Sequence, residues 1–160
     1  DPFVPYGQEL ALNIERAYNL DELLRTADFI SIHTPATELT YHLINQDTVS
    51  KMKPGVIIVN TARGPIWDLD AIYNGLKSGQ IGAAGLDVFD PEPPDVNHPL
   101  MLAWRGREAW LEGRFAATPH AAFFSPTSSK ILREKALLTC LDYLKNNELR
   151  NCVNAEHLVI

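Results

Sequence analysis

Apolar residues along the chain fall into two kinds of pattern, short continuous runs and helically spaced sets, and the two alternate. Residues 28–33, Asp28-Phe29-Ile30-Ser31-Ile32-His33, make a run fit for a buried strand, ended by the turn at Thr34-Pro35. Residues 56–59 give the clearest strand, Val56-Ile57-Ile58-Val59: four β-branched residues, apolar on both faces, as in a covered parallel strand. Residues 81–86, with four small residues among them, predict a strand packed closely against a helix. Between these runs lie helix signals. Asn19 opens a short helix as N-cap, with Glu22 three positions on in the pattern of a capping box. Asn45 predicts a helix over 46–52 that stops at Lys53-Pro54-Gly55, and Asp68 predicts one over 69–77 closed by Gly79. Alternation of this sort predicts an α/β fold with a parallel sheet.

The second half is less regular. Asp90-Pro91-Glu92-Pro93-Pro94 reads as extended, because a residue before proline avoids the α region. Residues 99–114 carry Trp104 and Trp110 among mixed charges. They read as an insertion with a helical turn or two, an accessory element covering a patch or meeting a neighbouring subunit rather than touching a ligand. Residues 115–118 look like a last short strand. Ser125-Pro126 is a helix start, Ser at N-cap and Pro at N1, followed by amphipathic spacing at Ile131, Leu132, Lys135, Ala136, Leu138 and Leu141 to about Lys145. The division expected is therefore a domain over 1–124 and a C-terminal helix and tail over 125–160.

Composition narrows the class. The 160 residues suit one domain or slightly more, and 46% hydrophobic with 21% charged residues excludes a disordered or low-complexity chain. The net charge is −6 and no Lys/Arg run exceeds two residues, so no basic stripe exists for a nucleic acid. No apolar run approaches the length of a membrane span, and the opening Asp1-Pro2-Phe3-Val4 has no leader character. Cys140 and Cys152 suggest no disulfide framework, which makes a reducing, cytoplasmic setting the expectation. The sequence holds no H-E-x-x-H and no Cys/His cluster, hence no basis for a metal site, and no G-x-S-x-G elbow for serine chemistry.

Chemistry in parallel α/β sheets gathers in the loops at the carboxyl ends of the strands. Three such loops carry polar residues that packing alone does not select: Asn60-Thr61-Ala62-Arg63-Gly64, the acidic stretch from Asp87 to Glu92, and Thr118-Pro119-His120-Ala121-Ala122. Each can be read singly as ordinary surface: a solvated arginine, a proline-stiffened acidic loop, an exposed histidine. Together they form an acid/base constellation, in which a guanidinium fork suits a carboxylate and Glu92 could hold the His120 imidazole and favour its protonated form.

These loops also carry a resemblance. Residues 59–64 (Val-Asn-Thr-Ala-Arg-Gly), Gly85-Leu86-Asp87-Val88-Phe89 with Glu92-Pro93, and residues 118–122 resemble the three C-terminal signatures of the D-isomer-specific 2-hydroxyacid dehydrogenases. Met52-Lys53-Pro54-Gly55 and Ser31-Ile32-His33-Thr34-Pro35 fit the same pattern, and Asn151-Cys152-Val153-Asn154 with His157-Leu158 is similar to the end of the C-terminal-binding protein branch. The resemblance implies an incomplete Rossmann-type doubly wound sheet, NAD as cofactor and a small 2-oxo or 2-hydroxy acid as substrate. It implies that Arg63 binds and polarises the 2-oxo acid, that Glu92 orients His120, and that His120 exchanges the proton with the substrate oxygen. Asp1 would match the acid that bonds the adenosine ribose. Thr34, Pro35, Thr61 and Ala62 would line the cofactor, Asp87 would face the nicotinamide carboxamide, and Ala122 and Phe123 would lie against the nicotinamide. A homodimer and absence of nucleic-acid or membrane partners belong to the same expectation.

Three features depart from the family pattern. No G-x-G-x-x-G occurs in the sequence, so the first strand and its Gly-rich turn are missing. The interval from Glu92 to His120, 28 positions (120 − 92), is longer than expected. Phe123 stands where the C-terminal-binding proteins have tryptophan. The alternative to an enzyme is an NAD(H)-sensing scaffold or corepressor-like protein with little turnover; a third reading is a structural domain that has lost binding. With a strand-3 candidate near 16–18 left without its neighbour, the chain made alone is expected to fold partly or aggregate and to bind NADH weakly or not at all.

Overall fold

The computed structural model describes residues 3–150 and Cys152; Asp1 and the closing motif around Asn154 and His157 lie outside the described residues. Four strands run in one parallel sheet in the order β1 (Phe29–Ile32), β2 (Val56–Asn60), β3 (Ile81–Leu86), β4 (Phe115–Ala117). The β-branched run of β2 places it between β1 and β3, where both edges are paired, with Ile30 opposite Ile58 and Ile58 opposite Ala84. Ile30, Ile32, Val56, Ile58, Ile81, Ala84 and Leu86 are buried, and α4 (Leu69–Ser78) packs on β3. Strand β1 is an edge: Phe29 is exposed and Phe29–Ile32 pairs with β2 alone among the described strands.

The crossovers follow their local signals. Helix α1 (Gln8–Leu12) precedes α2 (Leu20–Thr26), whose Asn19 cap accepts from the Glu22 N–H. The predicted capping box is corrected in one detail: the Glu22 carboxylate accepts from the Tyr18 N–H, one residue before the cap. Helix α3 (Gln46–Lys51) has a full capping box from Asn45 and Thr48. Helix α4 (Leu69–Ser78) is capped by the Asp68 carboxylate and ends at Gly79, whose φ of 83° is the left-handed conformation that glycine adopts without a Cβ penalty. It turns Ala71, Ile72, Gly75 and Leu76 inward and packs on β3.

Two expectations fail. No strand forms at 16–18; Arg16 instead pairs with Glu9 at 2.9 Å and donates to the carbonyls of Val4 and Pro5, which holds an irregular segment together. Residues 99–114 are not an accessory flap. They form α5 (Pro99–Arg105) and a 3-10 turn (Ala109–Leu111), and Leu100, Met101, Ala103 and Leu111 are core residues. Trp104 packs edge-on against Phe115 and Trp110 against Tyr73. The Arg114 guanidinium then donates to four main-chain carbonyls, of Leu76, Ile81, Gly82 and Trp110, at 2.7–2.9 Å. These bonds tie α4, β3 and the 3-10 turn together.

The chain divides into two compact units, 1–120 and 121–160. The second contains α6 (Pro126–Asn146), started by a Ser125–Ser128 capping box; none of its residues is buried.

Candidate active site

Because the four strands are parallel, their carboxyl ends lie on one edge of the sheet, and every loop singled out in the sequence leaves from that edge. After β1 come His33, Thr34 and Pro35. The Thr34 Oγ1 is buried without a hydrogen-bond partner, alone in this among the described side chains. A buried hydroxyl left unpaired costs about 1–3 kcal/mol. Its position at a strand end, where a ligand's polar atoms arrive, fits a bound dinucleotide.

After β2 the chain turns through Thr61, Ala62 and Arg63 into a 3-10 turn (Gly64–Ile66). Arg63 is exposed, and the one hydrogen bond of its side chain among the described residues runs from Nη1 to the Ala62 carbonyl at 2.6 Å. Gly64 is buried against the next loop: a Cβ there would stand 1.9 Å from the Phe89 carbonyl oxygen, so only glycine lets the two loops approach.

After β3, Asp87 is buried and its Oδ1 accepts from the Thr118 hydroxyl at 2.5 Å. The loop continues through Val88 and Phe89 to Glu92, with cis peptide bonds before Pro91 and Pro93. Glu92 is held at both oxygens: Oε1 accepts from the Phe89 N–H at 2.9 Å, and Oε2 lies 2.8 Å from the His120 Nδ1. The His120 ring, first, and then the Phe89 N–H hold the Glu92 carboxyl below its ordinary range. An ionised carboxylate only accepts, so Nδ1 carries the hydrogen and Nε2 is the nitrogen left for other chemistry.

After β4, the His120 N–H donates to the Asp87 carbonyl at 2.8 Å. The residue has φ of 52°, a left-handed conformation uncommon outside glycine, and sites of function are where such backbone is concentrated. Ala122 and Phe123 belong to the second unit, where Phe123 is exposed.

The structure thus brings Glu92 and His120 into direct contact and lays the Arg63 loop against the Phe89–Asp90 backbone. It also draws in Asn60, quoted above in its loop but given no role there: this amide is fully buried and bonds the Arg63 loop. The signal available was an amide closing an otherwise apolar strand. A shallow depression of about 590 Å³, near Trp104, Arg107 and Phe115, lies at the opposite, amino end of β4 and holds none of these residues. Among the described residues no group of three or more His, Cys, Asp or Glu could hold a metal ion, and no helix is long and apolar enough to cross a membrane.

The His120–Glu92 pair and Arg63 thus stand at the carboxyl ends of a parallel sheet, where open α/β sheets bind their ligands. Comparison makes this specific. Residues 2–122 match the D-isomer-specific 2-hydroxyacid dehydrogenase NAD-binding domain. The chain is 37% identical over 148 residues to a D-lactate dehydrogenase of Treponema pallidum, covering 89% of this chain and 44% of that one. It is 57% identical over 90 residues to a hydroxypyruvate reductase of Thermotoga maritima, covering 56% of this chain and 29% of that one. A crystal structure of Aquifex aeolicus D-lactate dehydrogenase complexed with NAD and lactic acid superposes with a TM-score of 0.73 at 31% identity, over 89% of this chain and 44% of that one. The chain therefore belongs to the D-isomer-specific 2-hydroxyacid dehydrogenase family, in its NAD-binding domain, and its cofactor is NAD. It spans less than half the length of these relatives.

Proposed function

We propose that the protein carrying this chain is an NAD-dependent oxidoreductase that interconverts a small 2-oxo acid and its 2-hydroxy acid, with Arg63, Glu92 and His120 as its catalytic group. The observation that carries the reading is the 2.8 Å contact between His120 Nδ1 and Glu92 Oε2, which leaves Nε2 for a substrate oxygen. The bound cofactor supplies the hydride that reduces the substrate C2. His120 delivers a proton from Nε2 to the substrate oxygen, and takes it back in the reverse direction. Glu92 keeps the ring in one tautomer and one orientation. Arg63, with donors to spare, binds the substrate carboxylate as a bidentate fork and polarises the adjacent carbonyl.

Thr34, Pro35, Thr61, Ala62, Asp87, Ala122 and Phe123 would line the cofactor. The unpaired Thr34 hydroxyl supports that placement for the β1 end. Asp1 would take the ribose. Arg63 and His120 would meet both cofactor and substrate. The domain limits, 1–124 and 125–160, a cytoplasmic setting and a homodimer are further parts of the same proposal. The dehydrogenase and reductase names of the relatives favour turnover over the scaffold alternative and lend the C-terminal-binding protein branch no support.

Steady-state oxidation of NADH across a panel of 2-oxo acids, measured beside NADH affinity in the intact protein, tests the reading. Turnover with at least one 2-oxo acid is expected. Tight NADH binding with no turnover would replace it with the sensing scaffold, and neither would leave a structural domain.

A further inference from the structure

The Arg63 side chain is exposed, and its one hydrogen bond among the described residues goes to the Ala62 carbonyl. That bond ties the guanidinium to its own loop, so its aim follows the backbone that carries it. That backbone is held by Asn60. The residue ends β2 on the same face as Val56 and Ile58, and it is 0% exposed. A buried amide is costly unless its groups are paired. Here both are paired within the one loop: the side-chain oxygen accepts from the Ala62 N–H at 2.9 Å, and the side-chain nitrogen donates to the Arg63 carbonyl at 2.9 Å.

The same residue reaches the other two loops through its main chain. The Asn60 carbonyl accepts from the Asp87 N–H at 3.0 Å, and the Asp87 carbonyl accepts from the His120 N–H at 2.8 Å. Three strand ends are joined by this short run of bonds, with Asn60 at its start. On the far side the Arg63 loop is stopped by the Phe89 carbonyl pressing on Gly64. Only a side chain with an acceptor and a donor at that reach can bridge residues two and three positions ahead; aspartate has no donor there when ionised, and serine has a single short oxygen.

We propose that Asn60 is a positioning residue for the reaction: its buried amide sets the Arg63 backbone in register with the Glu92–His120 pair. This rests on the catalytic reading above. A residue that merely caps the strand would lower stability when removed and leave the rate below the melting range untouched. A residue that aims Arg63 lowers kcat/KM for the 2-oxo acid, since displacement of a catalytic group by about 1 Å can cost on the order of 10²-fold.

The test uses Asn60→Ala and the milder Asn60→Ser in the intact protein. Thr48→Ala serves as a control, because the Thr48 hydroxyl bonds only around the start of α3. Hydrogen exchange at the Ala62 amide is read together with the kinetics. In Asn60→Ala, exchange at Ala62 should rise at least about tenfold relative to amides of β2. The kcat/KM for the 2-oxo acid should fall about 10- to 100-fold, with NADH affinity within about threefold. Asn60→Ser should fall between, and Thr48→Ala should lose stability with kcat/KM kept. Unchanged exchange at Ala62, or freed exchange with kcat/KM within about twofold of the parent in both Asn60 variants, would overturn the proposal. A parent that turns over no 2-oxo acid would refute the catalytic reading and, with it, any catalytic role for Asn60. The exchange result would then still decide whether Asn60 holds the loop.

Discussion

Arg63 and Arg114 leave the same sheet at opposite ends of its strands and use one kind of side chain in contrary ways. Arg114, before β4, spends its donors inside the fold, on four main-chain carbonyls drawn from α4, β3 and the 3-10 turn. Arg63, after β2, spends one donor on Ala62 and keeps the fork open to solvent. The difference teaches where this molecule invests in stability and where it holds groups in reserve. At the amino edge, charge is used up as a structural clamp among aromatic rings. At the carboxyl edge, buried groups such as Asn60 and Asp87 are paired so that exposed Arg63, Glu92 and His120 stay available.

Replacing each arginine by lysine separates the two uses most widely. Arg63→Lys keeps the charge and loses the fork. A lost transition-state contact of this kind is worth about 2–4 kcal/mol, so kcat/KM for the 2-oxo acid should fall about 30- to 1000-fold. Melting temperature and NADH affinity should barely move. Near-normal turnover would return Arg63 to the class of solvated loop arginines.

Gly64→Ala comes next. The added methyl would overlap the Phe89 carbonyl, so the Arg63 loop and the Glu92 loop must separate. The expected result is a rate loss of about 10- to 100-fold with about 1–3 kcal/mol of lost stability, read by kinetics and denaturant titration. A variant with both quantities preserved would mean that the loops do not need to meet. Arg114→Lys should show the opposite profile: about 2 kcal/mol of stability lost, because an ammonium cannot reach four carbonyls, and kcat/KM kept at temperatures below unfolding. A selective fall in turnover there would erase the distinction between the two edges.

The smallest effect is on acid stability. Glu92 has its carboxyl lowered from an ordinary 4.5, with His120 the main cause. A group whose proton affinity drops on folding adds stability above its unfolded value and loses it as pH falls through the folded one. Since both partners are well exposed, the loss between about pH 6 and about pH 3 should be about 0.5 kcal/mol or less. Glu92→Gln should flatten that part of the stability curve, measured by urea titration; an identical curve would show the pair adds nothing to the fold.

Much of the fold was legible because its signals are local. The β-branched run of β2 and the caps at Asn19, Asn45, Asp68 and Ser125 each act within a few residues, and each forms where expected, the Glu22 half of the Asn19 box apart. The helical turn or two expected within 99–114 forms as α5, but its burial was not legible, since that depends on α4 and β3 arriving from elsewhere in the chain. The strand expected near 16–18 failed for a related reason: Arg16 found carbonyls of the segment before it, and no neighbouring strand among those described offers it a ladder. Within the site, the Glu92–His120 contact was anticipated from the placement of both loops at strand ends and from the resemblance, whereas spacing of 28 residues says nothing of contact by itself. Asn60 was missed because an asparagine at the end of a strand reads as a turn residue, and only the structure reveals that its amide is buried.

The central claim is that the carboxyl edge performs acid/base chemistry through His120 under the control of Glu92. The pH dependence of kcat/KM for 2-oxo acid reduction, in the intact protein and its Glu92→Gln variant, addresses it most directly. Reduction needs the proton that Nε2 delivers while Glu92 holds Nδ1, so Glu92→Gln should lower the rate near neutrality and change how it varies with pH. Superimposable profiles for the two proteins would contradict the account.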